Sequence, residues 1–149
     1  MQSVQIYEIP SCRMVASGVG MFGDGPLEAF DEWFSQFPRS IYPKDFLFWD
    51  DSDPEKSGFR WLYLYEEGMT VPDAFSLTDF PGGLYAVATD IDQQTDMDDM
   101  NHAVDAFLTE TGFVRDADRP SLGNVITSPQ AQEILGYVQM NYWFPIRKK

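Results

Sequence analysis

The sequence predicts one α+β domain, residues 1–149, that is built from two similar halves. Two stretches support this: residues 80–89 run through a Pro-Gly-Gly bend into an apolar strand, and residues 9–17 are a weaker copy. Their prolines lie 81 − 10 = 71 residues apart, close to half the chain. After each copy the order is amphipathic helix, short strand and long aromatic strand. We therefore predict duplicated β-α-β-β halves, with pseudo-repeats at about 1–74 and 75–149.

Composition narrows the classes of partner. The formal charge is 10 − 24 = −14, with acids spread along the chain. Such a surface repels nucleic-acid phosphates and disfavours anionic membranes, so we expect neither as a partner. The acids can serve solubility alone, or they can attract a cationic ligand or a basic protein.

No apolar run approaches the roughly 20 residues that span a bilayer, and the N-terminus lacks the basic start of a signal peptide. Cys12 is the only cysteine, which favours a reducing, cytoplasmic location.

Aromatic residues make up 15% of the chain, which predicts a core or pocket rich in rings.

The first half opens with strands at residues 4–9 and 14–16, bent at Pro10. Residues 18–23 then match the Gly-x-Gly-x-x-Gly spacing of dinucleotide sites. Asp24 would place a negative charge beside a pyrophosphate, and alternating βα units are missing. We therefore interpret these glycines as an ordinary loop and predict no cofactor.

A helix follows from Pro26 and stops before Pro38. Its three- and four-residue spacing of apolar side chains predicts a buried stripe, and Trp33 at the margin of that stripe could reach a cavity. A short apolar strand at residues 46–49 includes Phe48. The acidic loop after it lacks the glycine and closing glutamate of an EF-hand, so we expect a solvated turn.

Residues 59–66 are the most informative strand. Period two places Trp61, Tyr63 and Tyr65 on one face, and the leucines with Glu66 on the other. Leucines suit a dry face beneath the helices, whereas hydroxylated rings suit a ligand. Packing alone explains the rings equally well, and both interpretations stay open.

In the second half Thr95 fits a capping box at the start of a helix, and Gly112 fits its end. His102, the single histidine, should face solvent. We predict no metal site and no catalytic residues, because no second histidine or nearby cysteine accompanies it. Strands are expected at 122–127 and 135–146, with Pro145 at a strand end or sheet edge.

The chain resembles the GyrI-like family, the effector-binding domain of many AraC- and MerR-type bacterial transcription regulators. The motifs that carry the resemblance are residues 81–87, the next helix with its Gly112-Phe113 exit, residues 142–146, and Ile9-Pro10 with Met14-Val15-Ala16. The resemblance implies one curved antiparallel sheet, two main helices and a ligand cleft between the halves. It also implies a member without a DNA-binding domain of its own.

Family members that bind cationic drugs carry a buried glutamate where this chain has Gly123 or Asn124. That departure weakens a cationic-drug function. Glu66 and Asp79 are the acids nearest the predicted cleft, and we consider each a possible pocket acid.

The main functional hypothesis is a sensor or sequestering protein that binds flat, aromatic or apolar small molecules. One alternative is a small hydrolase that uses a pocket carboxylate and tyrosines. Another is an acidic modulator of the gyrase-inhibitor type that binds a basic protein. The predicted ligand-binding residues are Trp33, Phe48, Trp61, Tyr63, Tyr65, Tyr85, Gly123, Asn124, Tyr142 and Trp143.

Overall fold

The structure, a computed structural model, describes residues 3–149 and confirms an α+β fold. Within these residues it has three helices and nine strands, and every strand pairing that it shows is antiparallel. No helix among them is long and apolar enough to cross a membrane. The elements are β1 (Gln5–Ile9), β2 (Cys12–Ala16), α1 (Pro26–Phe34), β3 (Asp45–Asp50), β4 (Gly58–Leu64), β5 (Ser76–Phe80), β6 (Gly83–Ile91), α2 (Met97–Thr111), β7 (Phe113–Arg115), β8 (Leu122–Val125), α3 (Pro129–Leu135) and β9 (Gln139–Lys148).

The chain forms two compact units. The contiguous unit is Ser11–Pro81, and the split unit combines the residues up to Pro10 with Gly82–Lys149. The chain passes from one unit to the other at Pro10 and again at Pro81. These are the two prolines of the predicted repeat.

The contiguous unit has the strand order β3-β4-β2-β5. Val15 of β2 lies opposite Tyr63 of β4 and Leu77 of β5, so these side chains share one face of the sheet. Helix α1 covers this face, and its Phe30 is buried against Val15 and Tyr63.

In the split unit β6 pairs with both β1 and β9, and β9 pairs on its other side with β7 and β8. Helix α2 packs on one face of this sheet. Its Met100, Val104 and Leu108 form a buried core with sheet residues Ala86, Ala88, Phe144 and Ile146. Each unit therefore buries an apolar stripe of one helix against one sheet face.

The first strand of each predicted half pairs with a strand of the other predicted half. Strand β1 pairs with β6, where Ile9 lies opposite Gly83, and β5 pairs with β2, where Phe80 lies opposite Cys12. The offset of 71 relates the two pairs crosswise, since 9 + 71 = 80 takes Ile9 to Phe80 and 12 + 71 = 83 takes Cys12 to Gly83. The compact units consequently do not follow the 1–74 and 75–149 division, which stays a prediction about the sequence.

Pro145 lies inside β9, not at a strand end as predicted, and it is opposite Tyr85 of β6. The Pro145 carbonyl accepts a hydrogen bond from the Asp116 amide at 2.9 Å. Because the nitrogen and carbonyl of a strand residue point to the same side, the Pro145 nitrogen points away from β6. The missing N–H therefore breaks no bond of the β6–β9 ladder.

Helix α2 begins one residue later than the capping box predicts. Asp96 is the N-cap, and its carboxylate accepts from the Asp98 and Asp99 amides at 3.1 Å each. The Thr95 hydroxyl instead donates to the Ile91 carbonyl at 3.0 Å. The end of α2 is as predicted: Gly112 has a left-handed conformation, with φ 82°. His102 is exposed, also as predicted.

Helix α3 was not predicted, and Leu135, which was expected in a strand, is the last residue of this helix. The local signals were present. Ser128 caps α3 by accepting from the Ala131 amide at 3.2 Å, Pro129 is its first residue, and Gly136 ends it with φ 80°. The final strand therefore begins at Gln139 rather than at residue 135.

Candidate functional site

The predicted aromatic face of β4 lies under α1. Tyr63 is only 6% exposed, and its ring stacks on Phe34 and Phe37 with centroids 5.2 and 5.6 Å away. Trp33 meets Tyr63 edge-on at 6.0 Å. The structure thus brings Trp33 and Tyr63 together, as packing partners within the core of the contiguous unit. Burial raises the pKa of the Tyr63 hydroxyl.

Trp61 belongs to the same ring cluster. It packs against Phe34 at 5.0 Å, and its indole nitrogen donates to the Asp45 carboxylate at 2.9 Å. Tyr65 lies just beyond β4, where the Arg13 guanidinium covers its ring at 5.5 Å. The helix therefore covers rings, and the leucines that we expected beneath it point to the opposite face.

Phe48 is separated from these rings. It lies opposite Arg60, while its neighbour Leu47 lies opposite Trp61. Because side chains alternate along a strand, Phe48 occupies the other face of the contiguous unit's sheet, together with Leu62.

Asp45 is a candidate acid that sequence reasoning missed. Burial raises the pKa of its carboxyl, partly opposed by the hydrogen bond from Trp61. Within the described residues no basic side chain forms an ion pair with it. The clue was its position just before the apolar strand, where period two places it on the face of Leu47 and opposite Tyr63.

The two acids selected from the sequence lie elsewhere. Glu66 is exposed and bonds the Lys44 ammonium group. The side chain of Asp79 is 96% exposed, and Arg13 lies 3.8 Å from it. Neither environment desolvates the carboxylate in the way that the environment of Asp45 does.

In the split unit Trp143 gathers three other side chains on the sheet face opposite α2. The Tyr85 and Tyr7 rings lie 5.8 and 5.6 Å from the Trp143 ring. The Trp143 indole nitrogen donates to the Asn124 side-chain oxygen at 2.9 Å. We call Tyr7, Tyr85, Asn124 and Trp143 the Trp143 platform.

The rings of the Trp143 platform differ in how far they are exposed to solvent. Tyr85 is fully buried, Trp143 is half-buried and Tyr7 is 41% exposed. Tyr7 was not among the residues selected from the sequence, although alternation along β1 places it opposite Tyr85. Three of the predicted ligand-binding residues, Tyr85, Asn124 and Trp143, thus meet in one place.

Tyr142 and Gly123 lie on the other face of that sheet, opposite each other. The Tyr142 hydroxyl is 3.2 Å from the Thr95 hydroxyl. A glycine at 123 was expected to leave open space, but the terminal methyl of Met140 fills it: a Cβ on Gly123 would be 2.7 Å from that carbon.

Arg119 supports the platform from beside Tyr85. Its guanidinium lies 4.8 Å from the Tyr85 ring centre and donates to the Gly82, Leu84 and Ile146 carbonyls at 3.1, 3.1 and 2.6 Å. Asp116 accepts from its Nε at 3.0 Å. The hydrogen bond from Arg119 is the largest cause of a lowered pKa of the Asp116 carboxyl, and a bond from the Asp118 amide lowers it further.

Among the described residues no group of three or more histidine, cysteine, aspartate or glutamate side chains is arranged to hold a metal ion. The arrangement offers ring stacking at Trp143, and one desolvated carboxyl at Asp45.

Together these features define a small α+β protein of antiparallel strands, with one helix over a face of each unit. Neither a protein-family model nor a curated protein sequence matches the chain. Solved structures do match. The C-terminal domain of EcmrR has a TM-score of 0.64 at 10% identity, covering 100% of this chain and 99% of that domain.

A hydrolase from Listeria innocua has a TM-score of 0.65 at 12% identity, covering 97% of this chain and 91% of the hydrolase. SAV2435 bound to tetraphenylphosphonium has a TM-score of 0.52 at 10% identity, covering 97% and 94%. At these identities the similarity shows the fold. That fold is consistent with the GyrI-like effector-binding domains that the sequence motifs resemble.

Proposed function

We propose that this chain is an effector-binding domain of the GyrI-like type, and that it senses or sequesters planar aromatic molecules on the Trp143 platform. The observation that carries the proposal is the geometry of Trp143, whose half-buried ring is oriented by the Asn124 hydrogen bond and flanked by two tyrosines. A preoriented ring loses little side-chain entropy when a ligand stacks on it.

The chemistry of the platform favours uncharged ligands. Asn124 is buried, and its oxygen already accepts the Trp143 N–H. It supplies an amide dipole and no negative charge to pair with a cation. Ring stacking contributes on the order of 1 kcal/mol per contact beyond the area buried, so several rings together support micromolar affinity. The complex of SAV2435 with tetraphenylphosphonium supports ligand binding by this fold in general.

Fluorescence quenching tests the proposal directly. The full chain is titrated with planar aromatic dyes in neutral and singly cationic forms, and the same titration is repeated on Trp143→Leu. We expect a neutral dye to quench wild-type fluorescence with micromolar affinity, and to lose at least about tenfold in affinity in the variant, which is about 1.4 kcal/mol.

Trp49→Phe is the matched control, because Trp49 is an exposed tryptophan in the contiguous unit. It should change the signal amplitude and leave the dissociation constant as it is. Wild-type protein that binds none of the dyes, or a Trp143→Leu variant that binds them unchanged, would refute the proposal.

Hydrolysis is a second candidate function, and Asp45 is the observation that favours it. A raised pKa keeps the carboxyl protonated to a higher pH than an ordinary aspartate, as a proton donor needs, and Tyr63 is paired with Asp45 on the neighbouring strand. The substrate would be a strained ring such as an epoxide, which adds one water across its C–O bond to give a diol.

Turnover of an aryl epoxide tests this candidate. Asp45→Asn should abolish the reaction, whereas Glu66→Gln should leave it intact because Glu66 is exposed and paired with Lys44. Equal rates in wild type and Asp45→Asn would exclude this role for Asp45.

A further inference from the structure

The glycine-rich loop at residues 18–25 is held tightly against β4. Gly20 and Phe59 exchange two backbone hydrogen bonds, of 3.0 and 2.8 Å. Gly58 permits this approach, because a Cβ there would lie 2.8 Å from the Gly20 carbonyl oxygen. The loop is therefore attached to the sheet at Gly20, and Gly58 is the glycine that this attachment requires.

The tip of the loop is equally well fixed. Asp24 closes a turn on Met21 with an amide-to-carbonyl bond of 3.0 Å, and its carboxylate accepts from the Met21 amide at 3.1 Å. The Glu28 carboxylate accepts from the Gly23 and Gly25 amides at 3.0 and 2.8 Å. These two backbone bonds lower the pKa of Glu28, so it stays ionised.

This ordered loop holds large apolar side chains in solvent. Met21 is 44% and Phe22 56% exposed, and nearby Trp49 is 48% exposed. Phe59 joins them, with ring centres 5.8 Å from Phe22 and 5.1 Å from Trp49. We call Met21, Phe22, Trp49 and Phe59 the Phe22 patch. Rings fixed in place before binding are typical of the anchors of protein interfaces.

The rim of the patch is acidic. Asp24 belongs to the same turn as Phe22, and the loop that joins Trp49 to Phe59 carries exposed Asp51, Asp53 and Glu55 against a single Lys56. Asp50 is balanced by Arg60, at 2.8 Å. A positively charged partner therefore gains charge complementarity around an apolar centre.

We propose that the Phe22 patch is a docking surface for a basic segment of a partner protein that inserts a large apolar side chain between Phe22 and Trp49. A second copy of this chain would bring two acidic rims together, in molecules that each carry a formal charge of −14. Like-charge contact of that kind opposes self-association and selects a basic partner.

The experiment uses the full chain and three capped peptides of equal length. One alternates lysine with phenylalanine, one alternates glutamate with phenylalanine, and one alternates lysine with serine. Calorimetry should detect binding of the first peptide only, because both the charge and the ring are needed. Its affinity should fall steeply with added salt, since the rim acids are exposed.

Two variants and one control locate the site. Phe22→Ser and Trp49→Ser should each weaken the lysine–phenylalanine peptide about tenfold or more. Ile134→Ser removes a more exposed apolar side chain, 80% exposed, from α3, and this variant should bind like wild type. Thermal unfolding of all three variants checks that each remains folded.

Three results would overturn the proposal. One is equal affinity for the glutamate–phenylalanine peptide, and another is unchanged binding of the first peptide by Phe22→Ser. The third is a wild-type dimer in sedimentation that Phe22→Ser converts to a monomer, because the occupant would then be a second copy.

Discussion

The guanidinium of Arg119 occupies the space that a side chain on Gly83 would need. A Cβ at Gly83 would lie 2.5 Å from Nη1 of Arg119, and the backbone there has φ 129°. Glycine is therefore required at position 83 for two reasons. The backbone conformation there disfavours other residues, and the guanidinium that supports Tyr85 leaves no space for a Cβ.

Gly83→Ala should therefore be strongly destabilising. We expect a loss of about 3 kcal/mol in the free energy of unfolding, from backbone strain and overpacking together. Gly68→Ala is the control, since Gly68 has φ 94° and nothing within 4 Å of its Cβ position, and it should cost about 1 kcal/mol. Urea unfolding measures both. If Arg119 is the obstacle, the extra cost of Gly83→Ala should disappear in an Arg119→Ala background.

Gly123→Ala should be far milder, although the obstructing atom is almost as close. That atom is the end of the Met140 side chain, 2.7 Å from the Cβ position, and a methionine can change rotamer. We expect a cost below about 1.5 kcal/mol by urea unfolding. A loss as large as that of Gly83→Ala would mean that Met140 cannot move.

Asp45→Asn should stabilise the protein at neutral pH. Because burial raises the pKa of Asp45 in the folded state, the folded protein holds this proton more tightly than the unfolded chain does. Its contribution to stability is therefore complete below the unfolded-state pKa and is lost as pH rises through the folded-state pKa. Asparagine avoids that loss, and its side-chain oxygen can still accept from Trp61.

Unfolding of wild type and Asp45→Asn is compared at pH 7 and at pH 3. The stability gain of the variant should be present at pH 7 and shrink at pH 3, where the wild-type carboxyl becomes protonated in both states. Asp51→Asn, at an exposed position, serves as the control. A gain of equal size at both pH values would contradict the assignment of the effect to the Asp45 proton.

Asp96→Ala should weaken α2. The Asp96 carboxylate accepts two amides of the first helical turn, and loss of such a cap costs about 1 kcal/mol. Asp96→Asn keeps an accepting oxygen and should retain most of the stability in thermal unfolding. An alanine variant as stable as wild type would show that Asp98 or Asp99 takes over the cap.

The sequence predicts the strands of this protein well because alternation and bends are local signals. Residues 46–49 and 122–127 were expected as strands, and β3 and β8 cover most of them. Alternation also separates the two faces of β4 correctly. Alternation does not say which of the two faces a helix covers, because both faces carry buried side chains, Leu62 on one and Tyr63 on the other.

The site was harder to predict for the same reason. The environment of Asp45 includes the Trp61 indole, which lies 16 residues away in the sequence. The meeting of Tyr7, Tyr85 and Trp143 depends on pairings between β1, β6 and β9 that no local pattern encodes. Met140, which fills the space at Gly123, is likewise brought there by strand pairing.

The exchange of β1 and β5 has a consequence for synthesis on the ribosome. The contiguous unit, Ser11–Pro81, has all of its strands once its last residue has emerged. Strand β1 precedes that unit in the sequence, whereas its partner β6 follows it. The nascent chain must therefore keep β1 unpaired until the whole contiguous unit and then β6 have been translated.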